Sequence, residues 1–313
     1  MIGGSMFTLT NLFQPLRLSS AASVAESPAL PPVSPRTADW WRKSLKALSE
    51  WLGDDRPVED LTRLDMENWH QSLLRRMSPV TANNYLRAAR IVFNRLEKTG
   101  YLAGNPAALV PPAPQPPNRP QAVKRETYCA MYAVADVRAR AVLALLWGTG
   151  ARIGELPTIT LKGLELWEEE GRPRLAAFVV GKHHRRLSIA HAGRYLYAEG
   201  AEAAAVGDWL AARPYGRHNA LFTDRTGDKP IPISTLHAIL RKLRLAAELP
   251  PGVVCNAHAF RHGFAYRKRR EGYPLEWISE WLGHSDPAFT AKMYGDKSEP
   301  EIRRRYFEPP PRR

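Results

Sequence analysis

The chain has 313 residues, 44% of them hydrophobic and 24% charged, and its 45 Lys and Arg outnumber its 31 Asp and Glu to leave a formal charge of +14. That length accommodates two domains of ordinary size, each with its own core, in a composition typical of soluble globular proteins rather than disordered ones. The basic surplus points to a polyanionic partner, nucleic acid before an anionic membrane surface.

Two cysteines, Cys129 and Cys255, are too few for a disulfide framework and lack metal-ligand spacing, which fits a reducing cytoplasm. The longest apolar run, Ala141 to Trp147, is far shorter than the roughly 20 residues that cross a bilayer, so no membrane partner is expected. Residues 1–36 are rich in Ser, Ala and Pro, have no basic region ahead of an apolar stretch, and read as a flexible arm rather than a signal peptide.

Residues 37–110 read as a helical domain. Trp40, Trp41, Leu45, Leu48 and Leu52 recur at helical spacing, and Asp65 is placed to cap a second helix through Trp69, Leu73 and Leu74. Ser78-Pro79 supplies a cap and a first-turn proline for a third helix, with Tyr85, Leu86, Ala89, Val92, Phe93 and Leu96 on its apolar side. Residues 111–121 hold a proline cluster that forms neither helix nor inner strand and reads as an extended linker. Beyond it, Arg125 to Trp147 reads as two helices ending at Gly148-Thr-Gly150. Leu164–Trp167, Leu175–Val180 and Arg186–Ala190 have strand character, and helices return from Gly193 onward, broken by prolines. The predicted fold class is mainly α with a small antiparallel β-sheet (α+β), with 122–313 forming a second domain and its tail.

Several residues carry chemistry. Arg152, at the close of an apolar helix, can present a planar fork to a phosphate, or be an ordinary helix-end cation. Lys182 lies in the turn between the last two predicted strands, either solvated or delivering a proton to a leaving oxygen. His258 and Arg261, three apart behind a capping Asn256, share a helix face and can meet one anion. His258 and His262 have the spacing of a zinc pair, but no Glu adjoins His258, and a cation next to a metal is unfavourable. His284 follows a helix-ending Leu282-Gly283, where it can donate to a phosphate oxygen or cap carbonyls. Tyr294 is a packing residue or, given a base and a positive field, a covalent nucleophile.

In order, Gly-Thr-Gly-Ala-Arg152-Ile-Gly-Glu-Leu, Lys182, His258-Ala-Phe-Arg261-His-Gly, Trp-Leu-Gly-His284 and Tyr294 resemble the tyrosine recombinase (phage integrase) family over residues 122–306. A weaker resemblance covers 37–108, whose Ser78-Pro-Val-Thr-Ala-Asn-Asn-Tyr85-Leu looks like the family's helical core-binding domain. The resemblance implies a site-specific DNA recombinase or integrase that needs no metal or other cofactor, and the sequence has no Gly-x-x-x-x-Gly-Lys-Ser/Thr motif for a nucleotide. It implies that Arg152 and Arg261 clamp the scissile phosphate, His284 adds a hydrogen bond, Tyr294 attacks, Lys182 protonates the leaving oxygen and His258 serves as base. Glu155 would orient the site from behind. It also implies two domains clamping double-stranded DNA, with four protomers in the synaptic complex, a monomer when free, and a place in the cytoplasm at the nucleoid. Arg87, Arg90, Arg95, Lys242, Arg244, Arg267 and Lys268 are candidate DNA contacts, each otherwise a solvated helix face. Competing readings are a type IB topoisomerase or hairpin resolvase, a non-catalytic DNA-binding accessory protein, and a zinc nuclease using His258, His262 and His284. Two departures from the family pattern are Pro157, where a regular helix usually continues, and the bulky His183-His184 beside Lys182.

Overall fold

A computed structural model describes residues 16–26, 31–53, 56–115, 121–180 and 193–283. The chain divides into two compact units at Asn118–Arg119.

In the first unit, α1 (Leu18–Val24) lies within the stretch expected to be a loose arm. Leu18, Ala21, Ala22 and Ala25 form an apolar stripe that is buried in the unit's core, which explains why a Ser/Ala-rich segment is helical here. Helix α2 (Pro35–Leu52) starts two residues before the expected Thr37, because Ser34 accepts from the Thr37 amide at 3.2 Å and Pro35 suits the first turn. Helix α3 (Arg63–Leu74) is capped by Thr62 rather than Asp65. Asp65 is the reciprocal half of a capping box, its amide donating to Thr62 Oγ1 at 3.1 Å while its carboxylate accepts from the Thr62 amide at 2.9 Å. Helix α4 (Pro79–Lys98) begins at the Ser78 cap the sequence predicts. Trp41, Leu45, Leu48, Trp69, Leu86, Val92, Phe93 and Leu96 fill the core between these helices.

The first residues after α4 are tied down by side chains. Asn83 donates to the Ala113 carbonyl and accepts from the Ala113 amide, both at 2.9 Å, as a neighbouring strand would. The same Asn83 oxygen lies 2.9 Å from His70 Nε2. A carbonyl oxygen only accepts, so Nε2 carries the proton. Burial lowers the His70 pKa, which keeps this buried imidazole neutral.

The second unit is built around α6 (Val137–Thr149), which is buried along most of its length. Helix α5 (Arg125–Ala133) precedes it. Among the described residues, three antiparallel strands, β1 (Leu164–Glu169), β2 (Arg172–Val180) and β3 (Gly193–Glu199), stand in the order β1-β2-β3. Glu170 and Gly171, both at positive φ (52° and 72°), make the two-residue turn that joins β1 to β2. The predicted strand Arg186–Ala190 lies outside the described residues, and Gly193, where helices are expected to return, opens a strand. Leu175, Ala177, Val179 and Leu196 present the sheet's inner face to the core containing α6.

Helices α7 (Ala201–Ala212), α8 (Ile233–Ala246), α9 (Ala257–Arg270) and α10 (Leu275–Leu282) complete the described part of this unit. Asn256 caps α9 as predicted, accepting from the Ala259 amide at 3.0 Å. Ile278 and Leu282 of α10 pack on Phe264 and Ala265 of α9. The fold is mainly helical with a small antiparallel sheet, as expected. Among the described residues, no helix is long and apolar enough to cross a membrane. Cys129 is an exposed and Cys255 a buried free thiol.

Candidate active site

Helix α6 ends at Gly150, which adopts the left-handed conformation (φ +63°) that only glycine takes without strain. A Cβ there would come within 2.8 Å of both Leu282 and Phe264, so the missing side chain also lets α9 and α10 close over the end of α6. Two residues later the chain turns back on itself. The Glu155 amide donates to the Arg152 carbonyl, and the Glu155 carboxylate accepts from the Arg152 amide, both at 2.8 Å. Pro157 then sits in a short 3-10 turn, Leu156–Thr158, where its fixed φ is compatible and no longer helix is required. This turn leaves Glu155 only 3% exposed.

A buried carboxylate demands compensation, and it comes from two arginines. Arg152 donates to one carboxylate oxygen at 3.0 Å, and Arg194, the second residue of β3, donates to the other at 2.8 Å. The same two guanidinia reach the end of α10. Arg194 donates to the Trp281 carbonyl, Arg152 to the Gly283 carbonyl at 3.0 Å, and Arg261 of α9 to the carbonyl of Leu282 between them. Three consecutive carbonyls at one helix C-terminus are therefore each met by an arginine from a different element, where helical carbonyls lack partners and the dipole is negative. Arg261, 4% exposed, also donates to the Gly150 carbonyl at 2.9 Å. Arg152 is the most open of the three, with its side chain 40% exposed.

His258 stands one turn before Arg261 on α9 and is exposed. Desolvation first, then the positive charges of Arg261 and Arg152, hold its pKa below the ordinary histidine value. His262 packs edge-on against it, ring centroids 5.5 Å apart, and burial with the charges of His258 and Arg261 pushes the His262 pKa down to about 4. Both imidazoles are thus neutral at pH 7. Among the described residues, no three His, Cys, Asp or Glu side chains gather as metal ligands.

Of the predicted site residues, the structure brings together Arg152, Glu155, His258 and Arg261. Lys182, His284 and Tyr294 lie outside the described residues. Arg194 escaped the sequence reading. Its only local signal was a basic residue beside a glycine, and its partner Glu155 lies 39 positions upstream.

The candidate DNA contacts divide. Arg87 and Lys242 are exposed. Arg90 is engaged inside its own unit, donating to Ala107 and Val110 carbonyls at 3.1 and 2.6 Å. Arg95 donates to the carbonyls of Ala25 and Pro31 and lies over the Trp41 ring. Arg244 is half-buried near the buried thiol of Cys255. Arg267 stacks 4.1 Å over Trp147 and donates to its carbonyl at 2.6 Å, while Lys268 pairs with Glu271 at 2.7 Å.

The model of the phage integrase family matches residues 122–301. Tyrosine recombinase XerC of Alcanivorax borkumensis is 27% identical over 273 residues, 82% of each chain. XerC of Xylella fastidiosa strain M23 is 26% identical over 292 residues, 87% of this chain and 94% of its own. Among solved structures, the Tn1549 transposon integrase in complex with transposon right end DNA has a similar fold. Its TM-score is 0.68 at 17% identity, covering 93% of this chain and 99% of that one. XerH bound to its difH substrate gives 0.65 at 16% identity, over 87% and 79%. The family match spans the two arginines, the buried glutamate and His258, and with it the chain belongs to the phage integrase family, the tyrosine recombinases.

Proposed function

We propose that the protein is a site-specific DNA recombinase that breaks and rejoins strands by transesterification at the site built on Arg152, Arg261 and His258. The observation that carries this reading is the charge balance of the described cluster. Glu155 accepts from Arg152 and Arg194 while Arg261 donates to the Gly150 and Leu282 carbonyls, so Arg194 offsets the one carboxylate and Arg152 and Arg261 keep a positive surplus for a phosphodiester.

Tyr294 attacks phosphorus through its phenolate oxygen. A Tyr–O–P bond forms, the bond to the 5′-oxygen breaks, and the products are a 3′-phosphotyrosyl link and a free 5′-hydroxyl. His258 takes the phenolic proton, a role for which its lowered pKa keeps it in the neutral form. Lys182 gives a proton to the departing 5′-oxygen. Arg152 and Arg261 bind the non-bridging oxygens and His284 adds a donor, so charge that grows in the transition state meets fixed positive groups. Reversal with a 5′-hydroxyl from another strand exchanges partners, and the bond energy held in the phosphotyrosine makes a nucleotide cofactor unnecessary.

The partner is double-stranded DNA, gripped additionally by exposed cations such as Arg87 and Lys242. Four protomers act on two duplexes and the free protein is a monomer, working in the cytoplasm at the nucleoid. Residues 299–313, beyond the described residues, are assigned to contacts between protomers. Their deletion is expected to impair synapsis more than binding to a single site, and equal loss of both would contradict that assignment.

The test is a nicked suicide substrate incubated in EDTA. Wild type is expected to accumulate a covalent protein–DNA adduct, and Tyr294→Phe none. Loss of the wild-type adduct in EDTA would instead favour metal chemistry, and failure to join two duplexes after cleavage would favour a topoisomerase-like activity.

A further inference from the structure

We propose that Arg194 is a positioning residue of the active site, holding Arg152 in its phosphate-binding pose through Glu155. The inference rests on the transesterification reading and adds to it a residue outside the six expected catalytic positions.

The geometry is a relay with one route. Glu155 Oε2 accepts both the Arg152 backbone amide and the Arg194 guanidinium at 2.8 Å, while Glu155 Oε1 accepts the Arg152 guanidinium at 3.0 Å. The carboxylate thereby fixes Arg152 at two points, backbone and side chain. Without Arg194, one of its three charge-assisted bonds is lost inside a buried environment, and the carboxylate is free to rotate out of its bidentate hold on Arg152.

Arg194 is itself over-determined. Its position in β3 is set by the pairing of Val179 with Arg194, its side chain is 16% exposed, and its other nitrogen is held by the Trp281 carbonyl. The adjoining Gly283 is open on that side because a Cβ would fall 2.6 Å from Arg194 Cδ. The sheet thus sets Arg194, Arg194 sets Glu155, and Glu155 sets the most exposed of the clustered arginines. A lysine cannot reproduce the arrangement, since it lacks the planar fork that reaches a carboxylate and a carbonyl at once.

The experiment measures two constants on the full-length protein: the dissociation constant for a duplex carrying its site, and the first-order rate of adduct formation on prebound suicide substrate. Arg194→Ala is expected to slow adduct formation about 10- to 100-fold, the usual cost of losing a partner that orients a functional group, with DNA affinity within about twofold. Arg194→Lys is expected to recover part of the rate, and it carries the same test where the alanine variant fails to fold. In a cycle with Glu155→Gln, the double variant should be no slower than the slower single one, because both act through one route.

A rate within twofold of wild type in folded Arg194→Ala would overturn the proposal. So would equal losses in rate and affinity, or multiplicative effects in the cycle, each of which marks a general structural role. Failure of the wild type to form any adduct, or an adduct that persists in Tyr294→Phe, would strike instead at the transesterification reading and is seen before any Arg194 variant is made.

Discussion

Gly150 closes α6 at a φ of +63° in contact with Leu282 and Phe264, and a single methyl group there meets both a backbone and a packing objection. Gly150→Ala is expected to cost about 2–4 kcal/mol of stability, the left-handed penalty plus local overpacking, measurable as a lower urea midpoint. The neighbouring imidazoles set a second expectation. His262 is held at about 4 in the folded unit against an ordinary value of 6.5, so below pH 6.5 the unfolded chain binds a proton that the folded one refuses. Stability is therefore complete above pH 6.5 and is lost as pH falls from there toward 4. Thermal midpoints at pH 7 and pH 5 should differ in wild type and differ less in His262→Gln; an unchanged difference would place the acid sensitivity elsewhere. At this scale the sequence is readable where a local motif fixes a residue's place, as for Arg152 behind Gly148-Thr-Gly150 and Arg261 three after His258, which meet at the end of α10. Arg194 was not readable, because its meaning depends on strand register and on a partner 39 positions away.

Helix starts were legible where a side chain caps its own backbone, as at Ser78 and Asn256. Reciprocal caps blur the boundary: Asp65 looks like a cap because it is half of a box whose other half is Thr62. Composition misled at α1, where serines and alanines suggest a loose arm although Leu18, Ala21, Ala22 and Ala25 already have helical spacing. It misled again at Gly193, where helices are expected to return and β3 pairs with β2 instead. Nothing in the sequence announced the Asn83 latch on Ala113, since an asparagine on a helix face gives no hint of a backbone segment thirty residues away. Asn83→Ala leaves both polar groups of Ala113 without that partner and should cost about 1–3 kcal/mol. Hydrogen exchange is the direct check: the Ala113 amide should lose protection in the variant, and unchanged protection would mean the latch contributes nothing.

For the molecule as a whole, the +14 charge is the feature most readily read and least specific. Arg90, Arg95, Arg267 and Lys268 are occupied within their own units, so the count of cations overstates the surface free for phosphate. About six phosphate contacts would still weaken DNA binding roughly 10³-fold between 50 and 200 mM salt, and a nearly salt-independent affinity would argue against a backbone-gripping protein. The proposed reaction turns on chemistry rather than charge, with one tyrosine, Tyr294, taking the DNA strand. Mass spectrometry of the digested covalent adduct tests it most directly. The expected result is a single modified peptide carrying the 3′-phosphate end of the DNA on Tyr294; attachment at any other residue, or through a 5′-phosphate, would rule out that reaction.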